Sequence, residues 1–217
     1  MKFPTYNYEA QKQAQGFLLV AGCDEAGIGP LAGPVVAASV VLDPQLAKER
    51  RSKTKWWYRV RDSKTVNEKE RGELEKFILD NCLDFGIGIV SYETIDKINI
   101  HNAAMLVMQK SVRQLKLLPQ FLFLDGIHKI KKINVPQEPV VSADSKILSV
   151  ACASILAKTA RDRILCEYHK LYPQYNFVKH KGYPTKAHKQ ALIKFGVSPV
   201  HRKSFTFVKE CLNAKAR

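Results

Sequence analysis

The 217-residue sequence lacks any long uninterrupted hydrophobic run. Its longest nearly uncharged stretch, residues 26–42, is shorter than the roughly 20 residues that a membrane-spanning helix needs and is broken by glycines and prolines. The first seven residues also lack the apolar core of a secretory signal. These absences exclude a membrane-spanning protein, and we expect a cytoplasmic one with no membrane partner.

Cysteine is sparse, and its spacing forms no recognisable pattern. The five cysteines are odd in number, and none belongs to a CxxC pair; they are Cys23, Cys82, Cys152, Cys166 and Cys211. This spacing supports neither a zinc site nor a disulfide framework, so reduced thiols are expected.

Acidic residues are scarce relative to basic ones. The sequence has 20 Asp and Glu against 35 Lys and Arg, which gives a formal net charge of +15. Hydrophobic residues make up 46%, enough for a full-size core, so global disorder is excluded. A surface this basic is typical of proteins that bind a polyanion, most commonly nucleic acid.

The length suits one domain spanning residues 1–217, with a short lead-in at 1–16 and a helical region from about 165 to 217. Apolar runs predict strands, and apolar residues at helical spacing predict helices. The predicted strands lie at 17–21, 35–42, 85–90, 121–124 and 140–143, and the predicted helices at 67–79, 96–117, 145–171 and 186–195. Strands mostly precede helices, which indicates an α/β or α+β layer.

Four acids follow three of the predicted strands. Asp24 and Glu25 follow the first, Asp125 the fourth and Asp144 the fifth. Neighbouring strands would bring these carboxylates together, where they would repel one another unless a cation neutralised them. Mg²⁺ and Mn²⁺ prefer oxygen ligands, and two such ions about 4 Å apart catalyse phosphodiester hydrolysis. Taken singly, each acid is more typical of a solvated turn or, for Asp144, of a helix N-cap.

Motifs along most of the chain resemble those of the ribonuclease HII family and come in the same order. The first is CDEAGIGPLAGPVVAA at residues 23–38. The others lie at 62–64, 95–100, 124–126, 144–146, 151–158, 161–163, 179–185 and 198–205. The resemblance covers residues 17–207, a length over which ordered motifs are highly specific.

The resemblance implies a ribonuclease H-like α/β fold, with a central mixed β-sheet flanked by helices and a helical C-terminal region. It implies an endonuclease that cuts the RNA strand of RNA/DNA hybrids and nicks duplex DNA 5′ of an embedded ribonucleotide, leaving 5′-phosphate and 3′-hydroxyl ends. Two Mg²⁺ or Mn²⁺ ions are the expected cofactors, and a monomer is expected. The family's four acids correspond to Asp24, Glu25, Asp125 and Asp144.

The family's glycine loop corresponds to Gly27, Ile28 and Gly29, and the resemblance implies that its main chain contacts the ribose 2′-OH, which distinguishes RNA from DNA. A glycine permits such close approach, although a tight turn alone would also require one. The family usually has Arg where this chain has Ile28. We therefore expect cleavage to survive, with weaker binding or a weaker preference for the junction.

Three further residues are candidates for substrate binding. Tyr183 resembles the family tyrosine that packs on the sugar, and Lys64 and Lys146 resemble phosphate-positioning lysines. The alternatives are a half-buried loop aromatic for Tyr183 and solvated surface for each lysine.

The basic and aromatic segment 48–64 is either a strand-binding loop or a solvated loop whose Trp residues pack on the core. Residues 158–162 are interpreted as a surface ion-pair ladder, from the spacing of Lys158, Arg161 and Asp162.

Three other interpretations remain open from the sequence. Ribonuclease HIII shares the core but carries an additional N-terminal domain, for which about twenty residues before the first strand are too few. A junction resolvase would share the acids without the glycine loop or Tyr183. A non-enzymatic nucleic-acid-binding module would explain the charge without the acids.

Overall fold

The computed structural model of the chain describes residues 3–49 and 52–215. Its strands are β1 Val20–Ala26, β2 Val35–Leu42, β3 Cys82–Val90, β4 Phe121–Asp125 and β5 Gln137–Val140. Its α-helices are α1 Asn7–Ala14, α2 Glu68–Asn81, α3 Tyr92–Ile98, α4 Ile100–Arg113, α5 Leu148–Leu171, α6 Phe177–His180, α7 Lys186–Phe195 and α8 Thr206–Lys215.

The five strands form one mixed sheet in the order β3-β2-β1-β4-β5. β2 pairs antiparallel with both β1 and β3, whereas β4 pairs parallel with both β1 and β5. The predicted α/β class with a central mixed sheet is confirmed. β1 and β4 lie side by side at its centre, so residues at their carboxyl ends meet at one edge.

Helices cover both faces of the sheet. Successive β2 side chains point to opposite faces: Ala38 and Val40 pack with Ile155 of α5, whereas Ala37 and Val41 pack with Val107 of α4. All eight β2 residues are buried for this reason. β2 is therefore an interior strand, and β1 pairs along it from Ala21 to Ala26.

The first strand differs from its prediction at 17–21. It begins at Val20 and continues to Ala26, so Asp24 and Glu25 lie within the strand instead of after it. The reason is the antiparallel ladder with β2, which continues as far as Ala26 opposite Val36. Pairing with a fully buried neighbour thus keeps two acidic residues in extended backbone.

Other predicted elements also have different bounds. The single helix predicted at 96–117 is two helices, because Asn99 has φ of 64° and its side chain accepts a hydrogen bond from the N–H of Asn102 at the start of α4. The fifth strand lies at Gln137–Val140 instead of 140–143. A 3₁₀ turn at Ala143–Ser145 follows it, so α5 begins only at Leu148.

The segment 48–64 packs largely on the protein itself, and residues 50 and 51 of it lie outside the described residues. Trp57 is 3% exposed and belongs to the core on the α5 face. Arg59 and Arg61 both bind Glu70 of α2. Trp57 therefore packs on the core, as the second of the two interpretations predicts.

Along the described chain, no helix combines the length and apolar character needed to cross a membrane.

Candidate active site

The acids of β1 and β4 meet at the carboxyl edge of the two central parallel strands. Cys23 lies opposite Leu124 in the register, so the next residues, Asp24 and Asp125, are neighbours. Glu25 joins them in lining a cavity of about 220 Å³. Asp24 is 4% exposed, so the fold holds at least one carboxylate away from water at this edge.

Asp144 approaches the same acids from the 3₁₀ turn after β5. Its side chain is buried, and its Oδ2 lies 3.6 Å from Nζ of Lys64. The turn is attached to β4 because Oδ1 of Asp125 accepts a hydrogen bond from the N–H of Ala143 at 2.7 Å. Asp144 does not cap α5, whose N-cap position is Ile147. The structure thus brings the four acids predicted from the sequence into one neighbourhood.

The electrostatics of this neighbourhood are unfavourable to the ionised acids. Burial raises the pKa of Asp24 well above its usual value, and the nearby Glu25 and Asp125 raise it further. Burial and then Asp125 raise the pKa of Glu25 to about 7, and the same two causes raise the pKa of Asp144. Oε2 of Glu25 is buried with no hydrogen-bond partner among the described atoms. A bound cation would relieve both the repulsion and the missing contact.

The donor set fits a hard divalent cation. All four side chains offer carboxylate oxygens, which Mg²⁺ and Mn²⁺ prefer. Within residues 3–49 and 52–215, no three His, Cys, Asp or Glu side chains already surround one point as a ready-made metal site. A cation would therefore have to draw the carboxylates closer together.

The glycine loop and Tyr183 line the same cavity as the acids. Gly27 has φ of +104°, a conformation that favours glycine. A Cβ added to Gly29 would lie 3.9 Å from Cε1 of Tyr183, so the loop lies beside the tyrosine ring. Ile28 is 39% exposed and Tyr183 is 40% exposed. An exposed loop residue and an exposed aromatic ring therefore share one cavity with the buried acids.

The two candidate lysines are placed differently. Lys64 lines the cavity. Burial alone would lower its pKa, but Asp144 and the other nearby carboxylates raise it overall, so Lys64 carries a positive charge beside the acids. Lys146 is not among the residues that line the cavity, and its Nζ donates to the carbonyl of Val141 at 2.5 Å. A phosphate contact by Lys146 stays a prediction.

Two residues of α5 that the sequence did not single out for the site also line the cavity. Ser154 hydrogen-bonds Asp24, which lowers the pKa of that carboxyl, and its Oγ lies 2.9 Å from Oγ of Ser63. Lys158 lies one turn further along and also reaches the cavity. Two polar residues four apart on an otherwise buried helix are the signal that could have identified them.

The surface-ladder interpretation of residues 158–162 is partly wrong. Lys158 does pair with Asp162, at 2.6 Å. Arg161, however, is fully buried, and its guanidinium donates to main-chain carbonyls of the glycine-rich segment 27–34. The helical spacing was correct, but the segment that covers Arg161 comes from about 130 residues earlier in the chain.

Comparison with known proteins gives consistent matches. The sequence model of the family Ribonuclease HII matches residues 21–208. A Ribonuclease HII of Clostridioides difficile is 46% identical over 198 residues, 91% of this chain and 74% of the relative. The crystal structure of ribonuclease H2 from Pyrococcus horikoshii has a TM-score of 0.76 at 23% identity, covering 92% of this chain and 99% of that one. Bst-RNase HIII, solved in complex with Mn²⁺, has a TM-score of 0.69 at 18% identity, covering 92% of this chain and 71% of that one.

Proposed function

Because the chain belongs to the ribonuclease HII family, and is therefore a hydrolase acting on the RNA of RNA/DNA hybrids, we propose that it also nicks duplex DNA 5′ of an embedded ribonucleotide. The products would carry 5′-phosphate and 3′-hydroxyl ends. Membership of this family excludes the two alternatives outside it, a junction resolvase and a non-enzymatic binding module.

The proposed catalytic residues are Asp24, Glu25, Asp125 and Asp144, which would hold two divalent ions. Such ions supply an activated water and stabilise the leaving oxygen in phosphodiester hydrolysis. The mutual repulsion of the carboxylates, which raises the pKa of Glu25, and the buried oxygen of Glu25 without a hydrogen-bond partner support this role. The Mn²⁺ complex of Bst-RNase HIII, a protein of similar fold, is consistent with it. We propose that these ions are Mg²⁺ or Mn²⁺.

The glycine loop and Tyr183 are proposed to recognise the sugar. Main-chain N–H groups of the glycine loop would meet the ribose 2′-OH, and Tyr183 would pack on the sugar ring. The exposure of the loop and of the tyrosine ring on one cavity supports this assignment. Lys64 would attract the scissile phosphate by charge, without reading sequence.

We also propose that residues 1–217 form one catalytic domain. Thr5 pairs with Ile147, beside the start of α5, and Ala32 pairs with His201 of the C-terminal region. Both ends of the described chain are thus hydrogen-bonded to the part that carries the acids, which supports a single unit.

The observation that carries the proposal is the convergence of four acids beside an accessible glycine loop on a strongly basic protein. Its test is a DNA duplex containing one ribonucleotide, incubated with Mg²⁺, with Mn²⁺ and with chelator, followed by mapping of the nick. We expect one cut on the 5′ side of the ribonucleotide that requires metal, and no cut in an all-DNA duplex. Cleavage in chelator, or at deoxyribonucleotides, would contradict the proposal.

Ile28→Arg tests the departure from the family's usual loop. An added cation at the cavity mouth should strengthen attraction of the backbone phosphates, so we expect KM to fall about three- to tenfold and to depend more steeply on salt, with kcat nearly unchanged. Steady-state kinetics at two salt concentrations measure this. Ile193→Arg, on the exposed face of α7, controls for net charge alone. If KM and junction preference are the same as in wild type, Ile28 has no such effect.

Cation affinity should depend on pH in a defined direction. The pKa of Glu25 is about 7 in the protein without metal, and a cation binds the ionised carboxylate, so protons must leave for binding to occur. We expect Mg²⁺ affinity to rise about tenfold from pH 6 to pH 8. Calorimetric titration without nucleic acid measures it, and Glu25→Gln should flatten the profile. An affinity independent of pH would count against Glu25 as a ligand.

A further inference from the structure

Two arginines lie buried behind the glycine loop. Arg161 of α5 and Arg202, in the segment between α7 and α8, are both 0% exposed. Among the described residues, neither makes an ion pair with a carboxylate within 4 Å. Burial lowers the pKa of Arg161 to about 10 and that of Arg202 to about 9, so both remain charged at neutral pH. Burying two cations without a paired carboxylate costs folding free energy. This cost indicates that the two arginines have a role besides packing.

Both guanidinium groups bind main-chain carbonyls of the segment 27–34. Arg202 donates to the oxygens of Gly27 (2.6 Å), Ile28 (3.0 Å), Gly33 (2.9 Å) and Pro34 (3.1 Å). Arg161 donates to those of Ala32 (3.1 Å), Pro34 (3.0 Å) and Lys181 (3.0 Å). The planar fork of arginine suits such multiple contacts, and lysine cannot reproduce them.

These contacts also determine where the loop's N–H groups point. In a trans peptide the C=O and the following N–H point in opposite directions. With the carbonyls of Gly27 and Ile28 turned inward to Arg202, the N–H groups of Ile28 and Gly29 must turn outward. Both of these residues line the cavity, and in the described part of the chain neither N–H donates a hydrogen bond.

Arg161 restricts the same loop sterically and supports its neighbour Tyr183. A Cβ at Gly27 would lie 2.2 Å from Nε of Arg161, so the close approach requires glycine. The guanidinium carbon of Arg161 lies 5.9 Å from the centroid of the Tyr183 ring. The two arginines therefore contact both the loop and the tyrosine that line the cavity with the acids.

We propose that Arg202, supported by Arg161, is a positioning residue for ribose recognition: it holds the carbonyls of Gly27 and Ile28 inward and so presents two N–H donors to the 2′-OH and adjoining phosphate. This proposal rests on the proposed function. The buried positive charges also attract the anionic strand at a loop where Ile28 supplies no charge of its own.

The test compares binding of two duplexes that differ by one 2′-OH. The protein carries Asp125→Asn to prevent cutting, and the ratio of Kd for an all-DNA duplex to Kd for the same duplex with one ribonucleotide measures discrimination. Arg202→Lys keeps the charge but loses the fork, so we expect this ratio to fall about tenfold with all-DNA binding unchanged. Ile78→Val, in the core on the α5 face, controls for destabilisation and should leave the ratio unchanged. A ratio unaltered in folded Arg202→Lys would overturn the proposal.

A second measurement needs no arginine variant and so remains decisive if that variant fails to fold. In the wild-type protein with chelator, the amide hydrogens of Ile28 and Gly29 should exchange readily, and they should be protected at least tenfold more by the ribonucleotide duplex than by the all-DNA duplex. Equal protection by both duplexes would overturn the proposal. A wild-type protein that fails to nick the ribonucleotide duplex with metal would instead overturn the proposed function.

Discussion

Asp125→Asn is expected to reduce kcat by about 1,000-fold or more while leaving the Kd for an RNA/DNA hybrid within about threefold of wild type. Asp125 ends β4, directly beside the β1 acids, and lines the cavity with Asp24 and Glu25. The substitution removes one negative charge from the carboxylate set, which weakens its hold on a cation. The basic surface that would bind the nucleic acid is not changed.

The variant should fold normally, because Asn retains the acceptor that Asp125 uses. Its Oδ1 can still receive the N–H of Ala143, so the turn that carries Asp144 stays attached to β4. Single-turnover cleavage and equilibrium binding on one hybrid separate the two effects. Asp80→Asn, an exposed acid at the end of α2, is the matched control and should keep activity within about twofold. Turnover above a tenth of wild type would remove Asp125 from the catalytic set.

The sequence predicted the buried parts of the sheet better than its ends. The apolar runs at 35–42 and 121–124 were located nearly to the residue, because burial on both faces leaves an uninterrupted hydrophobic stretch. The extension of β1 through Asp24 and Glu25 was missed, since only its pairing with β2 keeps those residues extended. The break at Asn99 was missed because apolar spacing continues across it.

The candidate site also has a part that the sequence predicts and a part that it does not. The convergence of the acids could be anticipated, because strand ends in one sheet meet at an edge. The surroundings of Arg161 could not be anticipated, since its helical spacing gives no indication that the segment 27–34 lies over it. Long-range contacts of this kind, such as Nε of Arg202 with the carbonyl of Gly33, join residues far apart in the chain. A pattern within one helix therefore predicts which face a residue occupies, but not which segment covers that face.

Glu9→Gln is expected to stabilise the protein at pH 8 and to change it little at pH 5. Glu9 of α1 is fully buried, and its Oε1 accepts the N–H of Ser149 in the first turn of α5 at 2.8 Å. Oε2 is buried without a partner among the described atoms. Burial raises the pKa of Glu9 from 4.5 to about 7, despite the opposing effect of the hydrogen bond from Ser149.

The direction of the pH effect follows from this raised pKa. Folding favours the protonated carboxyl, so its stabilising contribution is complete below pH 4.5, the ordinary value, and is lost as the pH rises through about 7. Gln is neutral throughout and keeps the acceptor for Ser149, so at pH 8 it should add about 3 kcal/mol of stability, since the pKa of Glu9 rises from 4.5 to about 7 and one pKa unit corresponds to about 1.4 kcal/mol. That gain would raise Tm by roughly 6–12 °C.

Thermal melts in chelator from pH 5 to pH 8.5 measure the difference between the variant and wild type. Glu167→Gln, which removes an exposed carboxylate paired with Lys170, should give a small difference that does not grow with pH. Because Glu9 contacts the start of α5 and Thr5 exchanges backbone hydrogen bonds with Lys146 and Leu148, a charged Glu9 would loosen the N-terminal segment close to Asp144. Equal Tm values for Glu9→Gln and wild type at pH 8 would mean that Glu9 is ionised in the folded protein at little cost, and that the attachment of α1 to α5 does not depend on its protonation.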